Sequence, residues 1–210
     1  MLAGELIYVG DPMCSWCWGI SSELKKLKNH FSEFLFKIML GGLRPGGGES
    51  WNDHMKSFLR HHWQEVNARS GQPFSYDLLE LESFDYDTEP ACRAVVAYRS
   101  LKQANDLEFF ESIQFRFYAE SQDPKSAEFY RPICESFNID FETFMSLWNS
   151  EPIKLETQRE FMTVRDWGIR GYPSVVFKHG KDLHLIAGGY TTFENMKKRI
   201  SEITDPSTSQ

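Results

Sequence analysis

The sequence predicts an α/β protein in which a large all-helical block interrupts a small sheet, and three observations carry that reading. Short apolar runs of strand character lie near both ends of the chain. Residues Ser50 to Arg165 between them show helical periodicity, and a glycine-rich segment marks the first junction. With 210 residues, 41% hydrophobic and 15% aromatic, the chain has ample material for a buried core. A formal charge of −7 and the lack of a basic block argue against a nucleic-acid partner, which would require cations to displace counterions from phosphates. Apolar stretches such as Ala94 to Tyr98 fall far short of the roughly 20 residues of a bilayer crossing, so no membrane partner is expected.

In chain order, Glu5 to Val9 reads as a buried strand that stops at Gly10-Asp11-Pro12. A helix opens near Cys14 with Cys17, Ile20, Leu24, Leu27 and Phe31 inward. Leu35 to Leu40 is a second strand. Gly41 to Gly48 reads as a flexible connector, since its glycines match no phosphate-cradling fingerprint. In the helical block, Met55, Phe58, Leu59, Trp63 and Val66 form one apolar stripe. Leu107, Phe110, Ile113, Gln114 and Phe117 form another, and Phe141, Phe144, Met145 and Trp148 a third. Thr88-Glu89-Pro90 starts a helix that runs to Gln103. The last helix of the block buries Ile153, Phe161 and Val164 and ends at Gly168. Ser174 to Phe177 and Leu183 to Ala187 pair as a hairpin across His179-Gly180-Lys181-Asp182. Thr191 and Glu194 supply a capping box for a closing helix with Phe193, Met196, Ile200 and Ile203 inward. The polar tail from Asp205 is expected to fray. Without the middle block, the order is strand, helix, strand, helix, strand, strand, helix, that of a thioredoxin-like fold. The insertion falls between its second strand and second helix. Residues 1–48 and 152–205 are then a discontinuous thioredoxin-like domain, and residues 49–151 an inserted helical domain.

Four cysteines are too few for a disulfide-stapled scaffold, but Cys14-Ser15-Trp16-Cys17 places two of them one helical turn apart. That spacing brings the sulfurs within bonding distance, so a disulfide can form and break reversibly. At the helix start, unpaired N–H groups and the helix dipole favour negative charge, which makes Cys14 the expected attacking thiolate and Cys17 the less exposed, resolving thiol. The alternatives for C-x-x-C are structural zinc and an inert pair. Zinc needs two further ligands, and His54, His61 and His62 do not supply the usual i, i+4 pair. Pro173, just before a pairing strand in this element order, reads as a tight turn with a cis bond.

Asp11-Pro12-Met13-Cys14-Ser15-Trp16-Cys17-Trp18-Gly19, Gly41-Gly42-Leu43-Arg44, Pro90-Ala91-Cys92-Arg93-Ala94 and Gly171-Tyr172-Pro173-Ser174 together resemble the DsbA-like thiol–disulfide oxidoreductases of the thioredoxin superfamily. The likeness is to the FrnE-like branch, whose members are labelled predicted protein-disulfide isomerases. The resemblance implies that Cys14 and Cys17 are the redox pair and that Pro173 is a cis-proline packed against them. It implies that the Tyr172 backbone offers strand-like hydrogen bonds to a bound thiol, and that the helical insertion caps the site. The chain departs from strongly oxidising members in carrying Ser15-Trp16 where they have a histidine.

The expected function is therefore thiol–disulfide oxidoreductase or isomerase activity on protein or small-molecule thiols, with no cofactor and with glutathione or another thiol as co-substrate. Ser15, Trp16 and Trp18 join Tyr172 and Pro173 as expected substrate-binding residues, the two tryptophans exposed or half-exposed around the site. Trp18 has packing under the insertion as its alternative. Asp11 is expected to turn its carboxylate away from Cys14, whose ionisation it would oppose. Cys92 and Cys134 fall on apolar stripes and read as buried small hydrophobes, with a second redox pair as the alternative. A cytoplasmic location is expected from the lack of a basic leader ahead of Glu5. Two rival functions remain: a glutathione-dependent isomerase or transferase of the 2-hydroxychromene-2-carboxylate isomerase or kappa type, and a non-catalytic binding module.

Overall fold

The computed structural model describes residues 4–102 and 104–204; the tail expected to fray from Asp205, and the expected helix end at Gln103, lie outside them. The apolar runs form strands β1 (Glu5–Gly10), β2 (Leu35–Leu40), β3 (Ser174–His179) and β4 (Asp182–Gly188). They make one mixed sheet in the order β2-β1-β3-β4. β1 runs parallel to β2, with Tyr8 opposite Ile38, and antiparallel to β3, with Tyr8 opposite Val175. β3 and β4 form the expected hairpin, with a register irregularity between Val175 and Val176.

Because side chains alternate across a strand, β1 and β3 serve two cores at once. Leu6, Tyr8, Val175 and Phe177 enter the main core, while Ile7, Val9 and Val176 meet Val164 and Ile169 on the other face. Val164 belongs to α8 (Glu151–Asp166), which ends just before Gly168, a residue with φ of 76°.

The helix expected from Cys14 is two helices, α1 (Ser15–Gly19) and α2 (Ser21–His30). The Ser21 hydroxyl donates back to the Trp18 carbonyl at 2.7 Å, the kind of local competition that bends helices. Between β2 and α8 the chain builds α3 (Asp53–Ser70), α4 (Glu89–Leu101), α5 (Asp106–Tyr118), α6 (Arg131–Ser136) and α7 (Phe141–Trp148). Their stripes are buried largely as the periodicity predicts, although Phe58 stands exposed beside His62. The main core is continuous from the sheet into these helices: Phe110 of α5 meets Tyr8 of β1 edge-to-face at 5.6 Å.

Two local expectations are corrected. The cap of α9 (Phe193–Thr204) is Thr192, whose Oγ1 accepts from the Asn195 N–H at 3.4 Å, rather than a box of Thr191 and Glu194. Glu23 of α2 accepts from the Phe193 N–H and so satisfies the helix start from outside. The segment from Gly41 to Gly48 is likewise no loose connector. The N–H groups of Arg44, Gly46 and Gly48 donate to the side chains of Thr88, Asp87 and Asp85, and Thr88 N–H returns a bond to the Arg44 carbonyl. Among the described residues no helix is long and apolar enough to cross a membrane.

Candidate active site

Cys14 ends the turn after β1 and is the N-cap of α1; its N–H donates to the Asp11 carbonyl at 3.0 Å, and its carbonyl accepts from Trp18 N–H. Both motif cysteines are free thiols. Cys14 is 5% exposed and Cys17, one turn further in, 1%. Burial pushes the Cys17 thiol well above its ordinary range, and the neighbouring Cys14 thiol adds to the shift. Behind it, burial and the proximity of Cys17 hold the Tyr8 phenol well up, and the Tyr8 hydroxyl has no partner meeting hydrogen-bond geometry.

The Gly171-Tyr172-Pro173-Ser174 segment enters β3 directly opposite. The Tyr172–Pro173 peptide bond is cis, and the Cys14 thiol donates to the Tyr172 carbonyl at 3.6 Å. The Pro173 carbonyl accepts from Gly189 N–H at 2.7 Å, which ties this loop to the end of β4. The Tyr172 side chain donates through its hydroxyl to the Gly41 carbonyl at 2.6 Å. Its ring lies so close over Gly41 that a Cβ there would overlap it. Glycine at position 41 thus lets the second strand end against the proline loop, a role invisible in a run of glycines.

Asp11 is fully buried and holds the base of the site together. Its Oδ1 accepts from Met13 N–H at 2.8 Å. Its Oδ2 accepts from Leu43 N–H at 2.7 Å, the Thr88 hydroxyl at 2.7 Å and the Cys92 thiol at 3.3 Å. Burial raises its carboxyl above the usual range, and these donors oppose the rise. The carboxylate is taken up in a network that joins the motif turn, the glycine-rich segment and α4. Sequence reasoning missed this network because, beyond Met13, its members lie 32 to 81 positions from Asp11 and no local signal announces them.

Ser15 and Trp16 are half-buried at the mouth of the site, and Trp16 packs on Tyr190, ring centroids 5.8 Å apart. Trp18 differs from the expected exposed surface. It is 6% exposed, and its indole N–H donates to the Pro73 carbonyl at 3.1 Å, beneath the helical block. Cys92 and Cys134 are fully buried and unbonded to one another. Burial pushes Cys92 well up and Cys134 to about 11, so neither is poised to react, but Cys92 is more than a small hydrophobe because it donates to Asp11. Among the described residues, no cluster of three His, Cys, Asp or Glu side chains is placed to hold a metal ion.

A family model described as thioredoxin matches residues 7–198. The chain belongs to the thioredoxin family. Among solved structures, this family member is similar to a candidate protein disulfide isomerase from Nitrosomonas europaea, with 32% identity and a TM-score of 0.88 over 99% of this chain and 100% of that one. It is similar to the cytosolic disulfide reductase DsbM from Pseudomonas aeruginosa, with 19% identity and a TM-score of 0.75 over 95% and 98% of the two chains. DsbM with GSH matches at 21% identity and a TM-score of 0.72, over 95% and 99%. Among curated proteins, the ClpXP adapter protein SpxH from Bacillus subtilis (strain 168) is 19% identical over 197 residues, 89% of this chain. The chain spans 63% of the length of that relative. At a coarse level, the kinship of this thioredoxin-family chain is with the candidate disulfide isomerase, and it shares its fold with the disulfide reductase.

Proposed function

We propose that the protein exchanges thiols and disulfides through Cys14 and Cys17. The observation that carries this reading is the Cys14 thiol, set at the first turn of α1 against the Tyr172 carbonyl of the cis-proline loop, with Cys17 buried one turn behind it. Ionised, Cys14 attacks one sulfur of a substrate disulfide; the Cys14–substrate mixed disulfide forms and one substrate thiol leaves. Cys17 gives up its proton and attacks the Cys14 sulfur, the second substrate thiol leaves, and a Cys14–Cys17 disulfide remains. Two electrons pass from the dithiol to the substrate, and the reverse sequence oxidises a dithiol. Tyr172 and Pro173 face the mixed disulfide, Ser15 and Trp16 form its rim, and Trp18 supports α1 from below. A cytoplasmic setting, with glutathione or a similar thiol as the exchange partner, belongs to the same proposal.

Variants at the two cysteines test it. Cys14→Ser should abolish disulfide reshuffling and insulin reduction. Cys17→Ser should accumulate a mixed disulfide on Cys14 that mass spectrometry detects. Retention of activity in Cys14→Ser would overturn the mechanism and favour a binding module.

A further inference from the structure

The arginines are unevenly partnered. Of the eleven in the sequence, seven form ion pairs with carboxylates, and Arg199 donates to the Ile186 carbonyl. The remaining three, Arg69, Arg165 and Arg170, are exposed and have no carboxylate partner among the described residues. Two of them border the thiol site. Arg170 lies two residues before Tyr172, whose carbonyl receives the Cys14 thiol. Arg69 sits in the last turn of α3, which packs tightly on α1: a Cβ on Gly19 would come within 2.8 Å of Val66.

The placement of Arg69 is specific. Its guanidinium lies 4.8 Å from the centroid of the Tyr190 ring, and Tyr190 packs on Trp16, the residue just before Cys17. With its guanidinium carbon over that ring and no carboxylate partner among the described residues, Arg69 keeps N–H donors that match a carboxylate in a two-point grip. The chain carries a net charge of −7, so an unpaired cation held at the rim of the site runs against the general surface and favours an acidic ligand there.

We propose that Arg69, seated over Tyr190, which in turn packs on Trp16, binds the carboxylate of a small acidic thiol substrate of the glutathione kind and so presents its sulfur to Cys14. This rests on the exchange reading above. Cys14 displaces one glutathione thiolate from oxidised glutathione, and Cys17 then displaces the other from the mixed disulfide. Two reduced glutathiones leave, carrying the two electrons and two protons of the dithiol.

The test compares oxidised glutathione with bis(2-hydroxyethyl) disulfide, which has no carboxylate, in the wild type, Arg69→Gln and Arg69→Glu. The ratio of kcat/KM for the charged over the neutral disulfide should fall about tenfold in Arg69→Gln, and further in Arg69→Glu, because charge-assisted hydrogen bonds are lost and then replaced by repulsion. For the wild type, the ratio should also fall as salt rises, and it should respond less in Arg69→Gln. A ratio unchanged within twofold, or an equal loss with both disulfides, overturns the carboxylate subsite while leaving the exchange reading intact. A wild type that reacts with neither disulfide overturns the exchange reading itself. A carboxylate-flanked peptide disulfide that loses as much as oxidised glutathione overturns the restriction to small thiols.

Discussion

Asp11→Ala should destabilise the fold by about 3 kcal/mol, a figure that follows from what the carboxylate holds. It receives four hydrogen bonds in a fully buried position, from two backbone N–H groups, one hydroxyl and one thiol. Stranding a buried donor costs roughly 1–3 kcal/mol. The Thr88 and Cys92 donors can rotate, so the fixed N–H groups of Met13 and Leu43 dominate the loss, and the desolvation of the carboxylate offsets part of it. Asp11→Asn keeps the shape but turns an amide NH2 toward at least one donor, for a loss of about 1–3 kcal/mol. Urea unfolding at constant m-value measures both, and for a chain of this size 3 kcal/mol corresponds to a Tm drop of about 6–12 °C. The pH dependence carries a sign. Burial holds the Asp11 carboxyl above its ordinary range, so the folded chain binds that proton more tightly than the unfolded chain. The contribution is complete below the unfolded-state pKa of about 3.9 and is lost as pH rises through the folded-state value. The stability advantage of wild type over Asp11→Asn should therefore shrink as pH rises. An Asp11→Ala protein within 1 kcal/mol of wild type would refute the network, whereas an advantage over Asp11→Asn that grows with pH would show that the four donors outweigh burial at this carboxyl.

Gly41→Ala places a methyl group in the Tyr172 ring, breaks the Tyr172–Gly41 hydrogen bond and shifts the proline loop from Cys14. Overpacking of this kind costs about 1–3 kcal/mol, and disulfide exchange should slow by a larger factor than stability falls, as paired unfolding and turnover assays would show. The resolving step should accelerate with pH through and beyond the ordinary thiol range, since burial keeps Cys17 protonated. Stopped-flow release of glutathione from the Cys14 mixed disulfide measures this, and a plateau at neutral pH would contradict it.

The strands were legible because each is a short apolar run bounded by glycine, proline or a polar turn, and the order of elements around the helical block placed the thioredoxin-like fold. Local competition was harder to read. The break at Ile20 depends on where one serine hydroxyl turns, and the α9 cap on which of two adjacent threonines faces Asn195. Non-local partners were not legible at all. Nothing near Cys92 reveals that its thiol meets a carboxylate 81 positions earlier, and nothing in Gly41 to Gly48 announces that three N–H groups there are bonded to residues 85 to 88. Trp18 was ambiguous for the same reason, as its indole partner, Pro73, lies 55 positions away.

The most direct test equilibrates the protein across a series of glutathione redox buffers, quenches in acid, alkylates the free thiols and maps them by mass spectrometry. Cys14 and Cys17 should lose alkylation together along one two-electron transition, while Cys92 and Cys134 stay alkylated once the chain is unfolded. Four alkylated thiols at every poise, or a disulfide that joins any other pair, would contradict the account.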